Sequence, residues 1–358
     1  MQQGGVRPLR VRPGARFACR GNGLCCTDIH ALGPLSRPEA RTLRREWPEG
    51  VYHDADFTAP MLRADVAGRC VFLLPDERCR LHAERGPGAK PAGCRRFPLG
   101  LTATPDGGRV TTLHRCPCRS LGPAPRLDAA AATPSLTDRA GRLIADRRIA
   151  AKLPLWGARR WAWRDYLRWE AHWFRAVSKG KALSSLLPLP PFGPLRGGDW
   201  RQVADRLDAA RDGTQFGLAM AWAAVAIRRH AAPRPMPTLA RPWAPCFDRA
   251  EALAYKVRRP QAMLRDWWAD ELWSLAWTER GHWLQACVDW STRSAMAGVI
   301  YRTMRRDGLR ADRAMAEALL IIDLLGAFPD WHSVLRRVQW PGSTAERRAW
   351  LTGWRQPP

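Results

Sequence analysis

Beyond residue 135 the apolar positions of this chain recur at helical spacing. Trp169 and Trp173 stand four apart within Trp156–Val177. The same period predicts helices over Asp199–Arg211, Gln215–His230, Phe247–Arg258, Gln261–Arg280, Trp283–Arg306, Ala311–Ala327, Trp331–Val338 and Thr344–Trp354. Apart from Ile321 and Ile322, β-branched residues are sparse there, while Ala, Leu, Arg and Trp dominate, and that composition favours helix. Before residue 120 the pattern is short and punctuated. Ser36-Arg37-Pro38-Glu39 has the spacing of a capping box, with Ala40, Leu43 and Trp47 on one helical face behind it. Cys70–Leu74 reads as a short strand. Asp106-Gly107-Gly108 separates Leu99–Thr104 from Arg109–His114 and predicts a hairpin. Little of this first part can build a large core, so a metal would supply what apolar burial cannot.

The expected fold is therefore mainly α: a small, irregular, cysteine-rich α+β metal-binding domain over 1–120, followed by an all-α helical domain over 136–358 rich in Trp and Arg. Between them Leu121–Pro134, LGPAPRLDAAAATP, reads as a Pro/Ala linker spanning 121–135. At helical spacing the tryptophans are expected in the core rather than on a stacking surface for bases. No repeat of solenoid length stands out.

Composition adds three constraints. The N-terminal stretch MQQGGVRPLRVRPGARFAC lacks the apolar segment of a secretory signal, and the longest apolar run, Phe216–Ile227, is too short to span a bilayer. The expectation is a cytoplasmic protein with no transmembrane segment, where thiols stay reduced. The formal net charge is +25, and it is carried almost wholly by arginine. Arginine pairs are spread over nearly every predicted helix, which points to a solvated basic coat. Weak, non-specific nucleic-acid binding is expected, with a Kd no tighter than about 10⁻⁶ M. Partners otherwise are an unspecified protein or small molecule.

Eight of the ten cysteines lie before residue 120: Cys19, Cys25, Cys26, Cys70, Cys79, Cys94, Cys116 and Cys118. Cys246 and Cys287, on the helical side, read as small buried hydrophobes. Thiolate is the soft ligand of zinc, copper(I) and iron–sulfur clusters, and loops can bring distant ligands together. The glycines of Gly21-Asn22-Gly23-Leu24-Cys25-Cys26 free the backbone for turns that aim thiolates or N–H groups inward. All eight are candidate ligands, with Cys116-Pro117-Cys118 as the candidate for an extra redox-active or substrate-facing pair. No pair has the C-x2–4-C spacing of a structural zinc knuckle, which favours an iron–sulfur cluster, of the 4Fe-4S type, over Zn. His82 is three residues from Cys79 and can complete a mixed site or face solvent, the latter being favoured. Arg95-Arg96 can hold an anionic substrate, offset thiolate charge or lie on the surface. There is no G-x-S-x-G, P-loop, dinucleotide fingerprint or H-E-x-x-H, and no persuasive catalytic carboxylate pair.

Phe17-Ala18-Cys19 followed by Gly23-Leu24-Cys25-Cys26 resembles the opening of the YkgJ-type cysteine-cluster family, described as a zinc- or iron-chelating domain. A helix with Glu39 and Leu43 follows at the family's position. Cys70-Val71-Phe72-Leu73, Cys79-Arg80-Leu81-His82 with Arg85, and Cys94-Arg95-Arg96-Phe97-Pro98 are similar to its C-x-F-L … C-x-I-[HY] … R … C-R-x-F-P core, and Cys116-Pro117 to its closing cysteine. The resemblance covers roughly 16–120. It departs at Asn22, where the family often has a cysteine; that ligand is then missing or supplied by Cys118. The architecture also resembles flagellin lysine N-methylase, which joins such a cluster to a long helical part, but no active-site residues carry over. The resemblances imply a metal-binding protein with an associated redox or protein-modification activity. If it is an enzyme, it is a metal- or iron–sulfur-dependent oxidoreductase or lysine-methylase-like. The alternative is a zinc-stabilised module presenting a basic helical platform to nucleic acid or protein.

Overall fold

Sequence signals for caps and turns place the first elements. In the computed structural model, which describes residues 8–53, 59–122, 124–138, 140–181, 189–231, 237, 239–253 and 256–339, Ser36 caps helix α1 (Arg37–Glu46). Its side chain and that of Glu39 make the reciprocal bonds of a capping box, and Ala40 and Leu43 are buried on the face expected. Strands β2 (Val51–His53) and β3 (Pro60–Leu62) pair antiparallel. Short helices α2 (Arg80–Arg85) and α3 (Ala92–Arg96) follow. The predicted hairpin is present as β4 (Leu99–Thr104) and β5 (Gly107–Thr112), turning at Gly107, whose φ of 132° suits glycine. Parallel strands β1 (Leu9–Val11) and β6 (Arg147–Arg148) flank it, giving a sheet of order β1-β5-β4-β6.

Two segments differ from their expected form. Cys70–Leu74 is not a strand: Cys70 bridges Ala64 alone and Leu73 bridges Cys79 alone, so each pairing stops after one residue and the chain turns between them. Within 121–135, read from composition as a linker, short helix α4 (Pro117–Ser120) leads to helix α5 (Ala129–Leu136), capped by Asp128. Ala132 and Leu136 of α5 are buried with Leu101, Val110, Leu127 and Ala15 beneath the sheet, while Ala130 and Ala131 stay exposed.

The second part is helical, though not entirely. Lys152–Trp156 (β7) and Arg159–Ala162 (β8) form a hairpin where helix was expected from Trp156. Leu153, Leu155 and Trp161 point to the core at every second position, a strand period that the neighbouring tryptophans disguise. Then come α6 (Trp163–Ser178), α7 (Trp200–Ala209), α8 (Gln215–Ala231), α9 (Ala244–Ala252), α10 (Pro260–Ser274), α11 (Trp277–Arg280), α12 (Trp283–Arg306), α13 (Ala311–Ala327) and α14 (Pro329–Arg337). The expected helix over 261–280 breaks at Leu275, whose φ is 57°. The helix expected over 344–354 lies outside the described residues. Helix α13 is buried on every side from Asp312 to Gly326, and the charged Arg313 and Glu317 buried with it pair with each other. Among the described residues no single helix is long and apolar enough to cross a membrane. Most of the described tryptophans are core residues, Trp222, Trp243, Trp267, Trp283, Trp290 and Trp331 almost wholly so.

The two parts share buried structure. Leu24, Ile29 and Leu121 belong to the main helical core. Arg109 of β5 makes a two-pronged bond to Glu170 of α6, at 2.7 and 2.9 Å, with both side chains buried. The guanidinium also lies over Trp273, and the Trp273 indole donates to the Val110 carbonyl at 2.9 Å. The cysteine-bearing loops therefore hang from a frame the helices complete.

Candidate metal centre

Five of the candidate cysteines come from four chain segments and meet on one small core. Cys25 and Cys26 sit in a single 3-10 turn, Leu24–Cys26, entered from Gly23 at φ 79°. The positive φ of Gly23 is what favours glycine there, since the atom nearest an added Cβ is the movable carboxylate end of Glu77. The Cys26 carbonyl accepts the Cys70 N–H at 2.8 Å, which ties the first loop to the second. Cys79 is the residue preceding α2, and Cys94 lies in α3. Cys26, Cys70, Cys79 and Cys94 all pack with Leu32, Leu43, Leu62, Phe72 and Leu81. The Cys25 and Cys26 sulfurs are 3.9 Å apart.

Electrostatics ties these thiols into one set. Hydrogen bonding to Cys25 raises the Cys26 thiol, with burial and the neighbouring Cys70 and Cys94 adding to it. The same bond lowers Cys25. Burial, then Cys70, pushes Cys94 up to about 12, and burial pushes Cys70 up to about 11. Burial opposes the Lys90 ammonium, but Cys25, Cys26, Cys79 and Cys94 outweigh it and raise its pKa. Lys90 is thus a cation set among four thiols that would be anionic as ligands. Without such compensation, burying several thiolates together is costly.

Cys19, Cys116 and Cys118 form a second group. The Cys118 sulfur accepts from the Asn22 side chain at 2.8 Å and from the Arg20 backbone N–H at 3.3 Å. A hydrogen bond to Cys118 raises Cys19, and one to Cys116 heads the causes that push Cys118 up to about 12. Asn22, standing where the resembled family often has a cysteine, thus touches Cys118. Cys19 also acts electrostatically on Cys25, so the two groups adjoin.

Sequence reasoning missed three residues. Lys90 carried no spacing signal. His30 looks like a lone histidine, yet it is buried with neither ring nitrogen hydrogen-bonded. Cys246, read as remote packing, accepts from Arg249 at 3.2 Å, and Arg249 also donates to the Asn22 carbonyl at 2.8 Å. Cys287 is buried within the helical core. His82 is exposed, as favoured. Arg95 and Arg96 brace α3 against the following segment: Arg95 donates to the Thr137 carbonyl, and Arg96 to the Ile144 carbonyl while pairing with Asp146 at 2.6 Å.

Among the described residues no three cysteine sulfurs lie within 4.8 Å of one another; His114, Asp266 and Asp270 are the set whose ligand atoms do. Those two carboxylates are already committed. Asp270 binds Arg12 at 2.5 Å, Arg119 at 2.5 Å and the Thr112 hydroxyl at 2.8 Å, while Asp266 binds Arg119 at 2.7 Å and Arg258 at 2.9 Å. Three guanidinium groups leave no net negative charge for a cation. This network locks β5 and α4 to α10. Compared with family models, with curated proteins and with solved structures, the chain matches none.

Proposed function

We propose that the first part of the chain is a thiolate metal centre, iron–sulfur in preference to zinc, serving a redox or protein-modification activity on a protein or small-molecule partner. The observation that carries this reading is the gathering of Cys26, Cys70, Cys79 and Cys94 on one small core, with Cys25 beside them and Lys90 set among Cys25, Cys26, Cys79 and Cys94. A small apolar cluster has no use for five thiols and an ammonium unless those thiols are to be charged together. Cys26, Cys70, Cys79 and Cys94 would hold the metal, with Cys25 beside them and Cys118 next to the place of the family's further ligand. Such a cluster supplies one-electron chemistry when bound. Around a single tetrahedral zinc, sulfurs bound at about 2.3 Å stand roughly 3.8 Å apart. Within the first group the Cys25–Cys26 pair stands 3.9 Å apart, and among the described residues no three cysteine sulfurs come within 4.8 Å of one another. The wider set suits an inorganic core larger than one ion. Cytoplasmic placement and the likeness to the YkgJ-type family belong to the same proposal.

The test is anaerobic purification of the full chain with iron, acid-labile sulfide and zinc analysis. Stoichiometric iron and sulfide, with broad visible absorbance that bleaches on reduction, is the expected result. A colourless protein holding stoichiometric zinc transfers the reading to a zinc-stabilised platform. A protein that binds neither metal refutes it.

A further inference from the structure

A cavity of about 350 Å³ lies against the cysteines, between the loop after Cys26, helix α3 and the start of the β4–β5 hairpin. Cys25 and Cys94 form one wall. His30, Arg96, Arg115 and Asp146 are its polar lining, and apolar residues such as Phe97 and Leu113 complete it. His30 is 9% exposed, and both its ring nitrogens lack a hydrogen-bond partner. Its ring rests on Phe97 with centroids 4.6 Å apart. Arg115 also sits over Phe97, at 5.9 Å, and its buried Nε has no acceptor. Asp323 accepts the backbone N–H of Arg115 at 3.0 Å, and with Glu271 it attracts the guanidinium, though burial outweighs both. Asp146, the acid on this cavity, is already taken: one oxygen pairs with Arg96, and the other accepts the Leu101 N–H at 2.7 Å.

Both ring nitrogens of His30 and the Nε of Arg115 are therefore left without an acceptor at this cavity, and burial outweighs the attraction of Asp323 and Glu271 for the Arg115 guanidinium. Buried donors are nearly always satisfied, and a charged one left bare costs more than a neutral one. A water molecule can satisfy an imidazole nitrogen but cannot offset a guanidinium charge. An oxyanion does both, since its several acceptor oxygens can take bonds from Arg115 and His30 at once. The cavity is at the lower end of the size range for small-molecule sites.

We propose that this cavity binds a small carboxylate- or phosphate-bearing molecule, held by Arg115 and His30 against Cys25 and Cys94. The binding itself is independent of the metal reading. The molecule's role as substrate of the centre rests on that reading, because Cys25 and Cys94 belong to the thiol set.

The test titrates the full chain with inorganic phosphate and, separately, with acetate and succinate, by calorimetry and by the ¹⁵N resonances of the histidine side chains. Metal content is measured on the same samples. Saturable binding at millimolar concentration or below, with a shift of the His30 ring nitrogens, is expected for one anion class, and whichever class binds names the headgroup. Arg115→Met should weaken binding by about tenfold or more, the scale of one lost charge-assisted hydrogen bond. His30→Gln should weaken it less. If Arg115→Met does not fold, the His30 shift in the unaltered protein decides. No saturable binding, an unmoved His30 signal, or binding that survives Arg115→Met marks adventitious surface association and overturns the proposal. Metal lost in His30→Gln without any anion dependence makes His30 a ligand and also overturns it. Anion binding by a protein that holds no metal supports the cavity and refutes only the metal centre.

Discussion

Replacing Glu170 with alanine leaves the Arg109 guanidinium buried without its counter-ion. The pair is 4% and 5% exposed, so water cannot take over the lost bonds. Removing one partner of a buried ion pair costs about 3–5 kcal/mol, mostly the penalty of the orphaned charge. The Tyr166 hydroxyl, which donates to Glu170 at 2.9 Å, loses its acceptor too, for about 1 kcal/mol more. The stacking of Arg109 on Trp273 at 4.2 Å and on Trp163 at 5.0 Å survives and recovers part of this, so a net loss of about 4 kcal/mol is expected. That is a large share of the ~5–15 kcal/mol of a typical domain. Equilibrium urea unfolding, followed by tryptophan fluorescence and by far-ultraviolet circular dichroism, reads it as a lower midpoint at unchanged slope. Both probes should move together, because the pair joins the cysteine-bearing sheet to the helices. Arg109→Leu combined with Glu170→Leu should recover most of the loss, since apolar side chains carry no orphaned charge. A loss below about 1 kcal/mol, or a double variant as unstable as the single, would refute the assignment. Two separate transitions would show that the parts fold independently, against the shared core described above.

Three further outcomes are expected. Cys26→Ser and Cys94→Ser should each lose bound metal, measured as metal per chain, whereas Cys287→Ser should not; thiolate sites contribute on the order of 10 kcal/mol of binding to folding, and metal retained in both N-terminal variants sinks the ligand assignment. Burial alone would raise Glu271, but Arg293 and Arg280 outweigh it and hold the carboxyl at about 2. A carboxyl depressed on folding stabilises the protein above its ordinary pKa of 4.5 and loses that contribution as pH falls toward about 2. The acid limb of the stability curve should therefore flatten in Glu271→Gln, and an unchanged limb would remove Glu271 from the account. Finally, duplex DNA should bind no tighter than about 10⁻⁶ M at physiological salt, with affinity falling steeply as salt rises; nanomolar, sequence-selective binding in a gel-shift titration would promote the nucleic-acid reading.

What could be read from the sequence was whatever depends on local spacing. The Ser36 capping box, the hairpin about Gly107 and helices such as Trp283–Arg306 and Ala311–Ala327 each need only neighbouring residues to specify them. The β7–β8 hairpin was hidden because tryptophan suits strand and helix surfaces alike, and a period of two over a few residues is easily lost among them. Helix α5 was hidden because an alanine run beside prolines has the composition of a linker, and only the sheet above it shows which alanines are buried. The thiol set was legible by residue type. Its division into Cys25, Cys26, Cys70, Cys79 and Cys94 on one side and Cys19, Cys116 and Cys118 on the other was not, because no pair has a recognisable knuckle spacing. His30 and Lys90 were invisible for the same reason: their partners arrive from loops distant in the chain.

The arginines illustrate the limit of a pattern argument and also bound what the charge can do. Periodicity counts arginine as polar and assigns it to the solvent face, yet Arg12, Arg109, Arg119, Arg293 and Arg313 are buried. Each faces carboxylates, many of them far away in sequence: Arg12 is 258 residues from Asp270, and Arg119 is 147 from Asp266. Glu170, Asp266, Asp270, Glu271, Asp289 and Glu317 answer those five cations. The interior is thus close to neutral, as the cost of burying unpaired charge requires. The surplus of +25 must then reside on the outside of the molecule. A surface charge of that size attracts polyanions at long range and is screened by salt, which is the behaviour of a solvated coat. Selectivity has to come from enclosed donors instead, and Arg115 and His30 beside the thiols are such a pair.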